Sequence, residues 1–261
     1  MKNLLVYLLS VLVLVMLPAA RMFAFANGGD KSTDFFSGEI DSPYFSSNDS
    51  SEPSGNNRIS QVRNVGTFSS VCLLGSINIV YTQGSRYSVK VVGKKDAVAC
   101  VKTQVKNGKL SVYIDNDGIK FPFFSKDVDL SGLVVYVQSP TVKEFSVTGS
   151  GDLDVRDQLK VDELKTSVSG SGEVKLQKVV ATKIKMSVTG SGTIYANDVR
   201  ANGAEVSVTG SGDVKCKYIA SYDVSVSVTG SGDVELAGKA RKFSKRVTGS
   251  GDINVSKLMK M

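Results

Sequence analysis

The side chains that could do chemistry in this chain are hydroxyls and carboxylates that recur in one short phrase. The phrase reads SVTGSGD or a close variant and occurs six times in the second half of the chain. Stacked carboxylates could bind calcium or hydrolyse a glycosidic bond, and rows of hydroxyls could bind a polar polymer. The first glycines of the phrases lie 21, 20, 20, 20 and 19 residues apart, at Gly149, Gly170, Gly190, Gly210, Gly230 and Gly249.

Catalysis is disfavoured because the chain has no histidine and because its regularly spaced acidic residues belong to the repeated phrase. Histidine is absent, which removes the usual near-neutral general base and all imidazole metal ligands. Glycoside hydrolysis needs two carboxylates in different protonation states, whereas Asp213 and Asp233 occupy the same repeated position and carry like charges. We therefore expect no enzyme and no cofactor, with a glycan-active β-helix enzyme as one alternative.

A calcium-binding β-roll is a second alternative, because glycine-rich phrases with Asp recur in such proteins. That pattern has two glycine-rich loops per coil, whereas this chain has one phrase per coil. In the third of the six phrases, Thr193 also occupies the position that is Asp or Glu in the others. Dedicated calcium sites use about six to eight oxygen ligands. The sequence therefore predicts no metal site and folding that does not require calcium.

The period predicts the fold class. A phrase that returns about every 20 residues indicates one structural unit stacked on itself. Because side chains alternate across a strand, the odd or even position of a residue in the phrase decides whether its side chain is buried. Counted from the first glycine, positions −2, +4 and +6 are apolar, as at Val208, Val214 and Cys216. We expect an all-β chain: a parallel β-helix or β-solenoid of about six ~20-residue coils, preceded by a strand- and hairpin-rich part. An antiparallel sandwich is the alternative. The two glycines suggest a bend, or an interior too narrow for a Cβ.

The outward positions and a basic run are the candidate ligand surfaces. The hydroxyls of three central coils are Thr189, Ser191, Thr209, Ser211, Thr229 and Ser231. The basic run comprises Lys239, Arg241, Lys242, Lys245 and Arg246. The hydroxyls would also be favoured by β-propensity and solubility alone, and the basic run would also protect the last coil against edge-to-edge growth. A loop with Phe121, Phe123 and Phe124 is a further candidate contact, or a cover for the end of the core.

The chain divides into four parts by composition. Residues 1–26 read as a signal peptide, with Lys2, an apolar stretch from Leu4 to Leu17, and a small-x-small cleavage site at Ala24–Ala26. Residues 27–60 form a Ser/Asn/Asp-rich tether that we expect to be disordered. Residues 61–143 are the strand- and hairpin-rich part, and 144–261 are the repeat solenoid.

Within 61–143, two signals stand out. Asn107-Gly108 between alternating segments predicts a hairpin. Gly75–Ile79 (GSINI) resembles Gly251–Val255 (GDINV), which predicts a degenerate early coil. No amphipathic helix is expected after the signal peptide. Cys72 and Cys100 could pair in an oxidising compartment, a point that the sequence leaves open, whereas Cys216 belongs to an apolar column and has a packing role.

A signal peptide, the segments GSINIVYTQG, KNGKLSVYI and VVYVQSP, and the repeated SVTGSGD phrases together resemble a bacterial family common in Bacteroidetes, called putative auto-transporter adhesin, head GIN domain. The resemblance covers about residues 65–258. It implies an exported β-helix-like protein of the periplasm or cell surface, or a secreted one, of a Gram-negative bacterium. It offers no established catalytic residues.

The resulting expectation is an exported, non-enzymatic envelope or surface protein that acts as an adhesin-like binding module, with a structural envelope spacer as the alternative. The expected partner is an extended polar or anionic glycan, or another surface protein. The formal charge of +7 is too small to indicate nucleic acid. No transmembrane segment is expected after signal cleavage, and the oligomeric state is left open.

Overall fold

The computed structural model describes residues 58–115 and 128–261. The predicted signal peptide, residues 27–57 of the predicted tether and the loop with Phe121, Phe123 and Phe124 lie outside the described residues. The elements, in chain order, are β1 (Arg58–Arg63), β2 (Ser70–Gly75), β3 (Asn78–Gln83), β4 (Ser88–Lys94), α1 (Lys95–Cys100), β5 (Val101–Lys106), β6 (Lys109–Ile114), β7 (Val134–Ser139), β8 (Glu144–Gly149), β9 (Asp152–Gly170), β10 (Glu173–Gly190), β11 (Thr193–Gly210), β12 (Asp213–Gly230), β13 (Val234–Gly249) and β14 (Ile253–Lys260).

The repeated half is a parallel β-solenoid. Strands β9 to β13 each make one coil, and each pairs in parallel with the next. The phrases stack in register, with Val188 opposite Val208 and Val208 opposite Val228. Val188 and Val208 are buried, and Thr189 and Thr209 are exposed. The predicted fold class and parity are confirmed, and the antiparallel sandwich is excluded.

Each coil has three sides, which the burial pattern of β10 shows. Its buried side chains are Val174, Leu176, Val179, Ile184, Met186 and Val188. The alternation shifts by one residue at 177–178 and again at 182–183, so the chain turns a corner at both places. We call 173–176, 178–181 and 183–190 the first, second and third sides, with the same names for the equivalent residues of other coils. The third corner is the glycine pair of the phrase.

The glycine corner requires glycine for two separate reasons. Gly210 has a φ of 113°, a conformation that residues with a Cβ rarely adopt. A Cβ on Gly210 would also lie 2.6 Å from the carbonyl oxygen of Gly190 in the preceding coil. At Gly212 a Cβ would meet the carbonyl oxygen of Gly192 even more closely. Both of the reasons expected from the sequence, a bend and a narrow interior, therefore apply.

The unequal spacings of the phrases are absorbed at the first corner. Where β9 meets β10, the register shifts between Leu176 and Lys178, which accommodates the extra residue of the 21-residue spacing. Where β12 meets β13, it shifts between Cys216 and Ile219, which accommodates the missing residue of the 19-residue spacing. The other two corners keep their geometry, so the core columns continue through both irregular coils.

Residues before the first phrase extend the same stack. Strands β2 and β3 pair in parallel with β8 and β9, and Gly75 lies opposite Gly149. The predicted early coil at Gly75–Ile79 is therefore confirmed. A further level comes from β6 and β7, which pair in parallel with β2 and β3.

Antiparallel strands cover the N-terminal end of the stack. Strand β5 pairs with β6, β4 pairs with β7, and β1 pairs with β4, all antiparallel. The β5–β6 hairpin turns through Asn107 and Gly108, whose φ values are 52° and 72°, as the Asn-Gly signal predicted. One core of buried side chains runs from this end through the solenoid.

One short helix interrupts the strands of the N-terminal part. Helix α1 links β4 to β5 and is six residues long, and its Ala97 and Val98 are fully buried. A helix of fewer than two turns is too short to show a 3.6-residue apolar period, so no sequence pattern could have indicated it. Within the described ranges, no helix has the length and apolarity needed to cross a bilayer.

The three cysteines are buried, and none of them forms a disulfide. Cys72 lies opposite Ser111 of β6, while the carbonyl of Cys100 accepts a hydrogen bond from the N–H of Asp115, 3.0 Å away. Ser111 and Asp115 are four residues apart, about 13 Å along a strand. A disulfide permits a Cα separation of about 7 Å at most, so Cys72 and Cys100 do not pair in this fold. Burial raises the pKa of Cys216 to about 12, as expected for an inert core thiol.

Candidate binding surfaces

The predicted hydroxyls lie together along one edge of the solenoid. Thr189, Thr209 and Thr229 are exposed on the third side, and pairing brings them into register across β10, β11 and β12. Ser191, Ser211 and Ser231 follow at the glycine corner and are also exposed. We call these six residues the hydroxyl face.

A second row of serines borders the hydroxyl face on the third side. It comprises Ser187, Ser207 and Ser227, which lie in register two residues before each threonine. The Oγ of Ser207 donates to the Oγ of Ser187, 3.0 Å away. Because the two rows alternate with buried valines on rigid paired strands, the spacing of the hydroxyls is fixed by the backbone.

The basic run does not form one patch. Arg246 lies opposite Ser227 and extends the serine row into the last coil. Lys245 lies opposite the buried Val226 and therefore occupies a core-facing register position, although it is exposed. Neighbouring residues in a strand point to opposite faces, so Lys245 and Arg246 diverge.

The rest of the basic run surrounds a corner of the last coil. The guanidinium of Arg241 lies 4.8 Å from the ring centre of Tyr222, and the Nζ of Lys242 lies 5.8 Å from it. Lys239 lies opposite Ala220 on the second side. Of the five predicted basic residues, only Arg246 is continuous with the hydroxyl face and its serine border.

The acids of the phrase have a structural use at the glycine corner. Asp233 Oδ1 accepts the backbone N–H of Asp252 at 2.9 Å, and Asp213 Oδ1 accepts that of Asp233 at 3.3 Å. Asn78 does the same for Asp152 in the early coil. Asp213 also pairs with Lys215, at 3.2 Å. Among residues 58–115 and 128–261, no group of three or more His, Cys, Asp or Glu is placed to hold a metal ion.

A groove on the first side was not anticipated from the sequence. Its volume is about 440 Å³, and its walls include Tyr195, Gln177 and Asn197. Asn197 Nδ2 donates to Gln177 Oε1 at 2.5 Å, and Glu173 pairs with Lys175 beside it. One sequence feature could have indicated this groove: Tyr195 is the single aromatic residue at the fifth position after the first glycine of the phrases. Most polar groups in this groove already have partners, so we rank it below the hydroxyl face.

Comparison with known proteins identifies the family of this chain. The model for the family described as putative auto-transporter adhesin, head GIN domain, matches residues 67–198 and 195–260. A comparison with curated proteins gives no match.

Solved structures from Bacteroidetes share the fold. A putative adhesin from Bacteroides fragilis NCTC 9343 is 25% identical, with a TM-score of 0.60 over 77% of this chain and 97% of that one. A putative lipid binding protein from Parabacteroides distasonis ATCC 8503 is 21% identical, with a TM-score of 0.60 over 76% of this chain and 96% of that one. A putative adhesin from the same organism is 18% identical, with a TM-score of 0.52 over 76% and 97%. The stacked phrases and the family match together show that this chain belongs to the putative auto-transporter adhesin, head GIN domain family.

Proposed function

We propose that this protein is an exported, non-enzymatic, adhesin-like module of the cell surface, and that its hydroxyl face binds an extended anionic glycan. Family membership supports the adhesin-like role. The observation that carries the choice of surface is the in-register row of Thr189, Thr209 and Thr229, exposed on a side whose inward residues are buried.

A rigid row of hydroxyls suits a polymer better than a small molecule. Successive coils are about 4.8 Å apart, so the row offers regularly spaced donors and acceptors along the axis of the solenoid. The strands hold these side chains in place before binding, which lowers the entropy lost when a long ligand is bound. The surface is an open side rather than a cleft, so the ligand can extend past both ends of the row.

Positive charge at one end of the row favours an anionic polymer. Arg246 continues the serine row, and the stretch 237–261 contains seven basic residues and one acid. Attraction between exposed charges is screened over about 8–10 Å at physiological salt. Binding to an anionic glycan should therefore weaken as salt is raised, and replacing Arg246 with Ser should reduce that salt dependence.

The test is a glycan array with the mature protein, followed by affinity measurements on any glycan that binds. The test variant is Thr189→Tyr with Thr229→Tyr, which adds bulk to the row while keeping a residue that favours strands. The matched control is Lys175→Tyr with Glu235→Tyr, on the first side, where net charge is unchanged and Tyr195 already occupies the same position.

We expect the test variant to bind at least about tenfold more weakly, a loss of about 1.4 kcal/mol, and the control to bind like the wild type. Equal melting temperatures would show that both variants fold. No binding by the wild type to any glycan, or equal loss in the two variants, would overturn the proposal. A structural envelope spacer would then be the better description.

A further inference from the structure

At the C-terminal end of the solenoid, none of the residues in 58–115 and 128–261 covers the third side of the last coil. Strand β14 pairs with β13 only from Val234 to Ala240, which covers the first and second sides. Among the described residues, no strand pairs with the outer edge of the third side. Val247 is 40% exposed there, whereas Val228, at the same position one coil earlier, is 1% exposed. The parity that holds in other coils therefore leaves an apolar column open to solvent at this end.

A cavity opens between this uncovered side and β14. Its volume is about 440 Å³, within the range of about 300–1,000 Å³ that small-molecule sites occupy. Its apolar walls come from Ala240 and Phe243 of β13 and from Val255, Leu258 and Met259 of β14. Met259 is 58% exposed, so this apolar surface is left open by the part of the chain that the structure describes.

Basic side chains surround the cavity without acidic partners. Arg241, Lys242 and Lys260 belong to its lining. Of the salt bridges within the described residues, none includes a basic residue of 237–261. The charged groups of Arg241 and Lys242 lie 4.8 Å and 5.8 Å from the ring centre of Tyr222, so these two cations of the lining are held close to the same ring. The site therefore combines apolar walls with uncompensated positive charge.

A second copy of the chain is a poor occupant on grounds of charge. Two C-terminal ends would bring their basic residues together, and like charges in contact are unfavourable. The N-terminal end exposes β1 and β5 as edge strands, whose sequences RISQVR and VKTQVK also contain basic residues and no acid. Head-to-tail contact would thus be repulsive as well.

We propose that the cavity is a binding site for a medium-chain fatty acid. Its acyl chain lies against Phe243, Val255 and Leu258, and its carboxylate is bound by Arg241 and Lys242. Charge complementarity selects an anion, and the apolar walls select a chain rather than a small inorganic anion. The site lies apart from the hydroxyl face, so it goes beyond the adhesin-like role and does not depend on it.

The test is calorimetric titration of the mature protein with laurate, a twelve-carbon carboxylate, below the concentration at which it forms micelles. Dodecyltrimethylammonium, with the same chain length and the opposite charge, is the control ligand. We expect laurate to bind with a stoichiometry near one and the cation to give no binding heat. Absence of laurate binding, or equal binding of both ligands, would overturn the site.

Variants separate the cavity from general charge effects. Arg241→Ser with Lys242→Ser should weaken laurate binding at least about tenfold. Lys160→Ser with Lys183→Ser removes two exposed lysines elsewhere and should leave it unchanged. Equal loss in both would refute a specific site. Leu258→Glu should abolish binding; if that variant does not fold, the two charge variants still decide the question.

Two further measurements separate the cavity from the hydroxyl face and from self-association. The hydroxyl-face variant Thr189→Tyr with Thr229→Tyr should bind laurate like the wild type, so that failure of one proposal leaves the other standing. Light scattering after size exclusion should show a monomer across concentrations. A stable dimer that laurate does not dissociate would mean that a second copy covers the cavity, against this proposal.

Discussion

Replacing Gly210 with Ala tests why the solenoid has a glycine in every phrase. Gly210 has a φ of 113°, and a Cβ there would lie 2.6 Å from the carbonyl oxygen of Gly190. That oxygen accepts the backbone N–H of Ser211 at 2.8 Å, so it cannot move away without weakening a bond between coils. The substitution therefore meets both a backbone penalty and a steric one.

The two penalties can be assessed separately. A residue with a Cβ held in a sparsely populated region of positive φ costs about 1–3 kcal/mol. Forcing one extra methyl group into a closely packed interior costs about 1–3 kcal/mol. The expected loss is their sum, roughly 2–6 kcal/mol, a large part of the roughly 5–15 kcal/mol that stabilises a typical domain.

Gly203 provides the matched control, because it lies in the same coil without either constraint. A Cβ there would have no atom within 4 Å, and its φ is not in the positive range. Gly203→Ala should be neutral, or stabilising by up to about 1 kcal/mol, because alanine restricts the unfolded chain. Urea denaturation followed by circular dichroism measures both variants. A Gly210→Ala protein as stable as the wild type, or equal destabilisation by both changes, would refute the reasoning.

Three further predictions concern the core, metal dependence and pH. Val208→Asp should unfold the solenoid, because an unpaired carboxylate in a core column costs several kcal/mol. Thr209→Asp should lower the melting temperature far less, and similar melting temperatures for the two variants would contradict the assignment of Val208 to the interior and Thr209 to the surface. A chelator should leave the melting temperature unchanged, because Asp213 and Asp233 accept backbone N–H groups; a collapse on chelation would favour the calcium β-roll. The pKa of Cys216 is about 12 in the folded protein against an ordinary value of 9.0, so the unfolded chain loses this proton first. The contribution of the Cys216 thiol to stability should therefore be fully present below about pH 9 and be lost as the pH rises from about 9 to about 12, a loss of about 4 kcal/mol from this group. Cys216→Ala, which copies Ala196 in the same column, should lack that component of the fall; identical pH profiles for the two proteins would refute the assignment.

The phrase predicted much of the fold because its constraints are local. Val208 must point inward if Thr209 points outward, and one period then fixes the stacking of all the coils. The glycines were predictable for the same reason, since each lies at a fixed place in the phrase. The second side was not predicted, although it repeats one apolar position, because the alternation shifts by one residue at the corner before it and a parity counted from the phrase no longer applies. That apolar position is occupied by Leu159, Val179, Val199 and Ile219.

The order of the N-terminal levels could not be inferred from the sequence. Along the stack, β6 and β7 lie between the antiparallel cover and β2–β3, although they follow both in the chain. Such pairing joins segments far apart in sequence, and no local signal records it. The basic run was misleading for a geometric reason: residues adjacent in a strand face apart, so Lys245 points to the open core and Arg246 to the serine row.

Labelling of intact cells that produce the protein decides whether it is an adhesin-like module of the cell surface. An amine-reactive biotin reagent that is too large to cross the outer membrane can reach exposed lysines such as Lys160, Lys183 and Lys239 only if the protein is outside that membrane. We predict strong labelling of the protein in intact cells while a periplasmic marker stays unlabelled. Labelling that appears only after the outer membrane is opened would contradict a role at the surface.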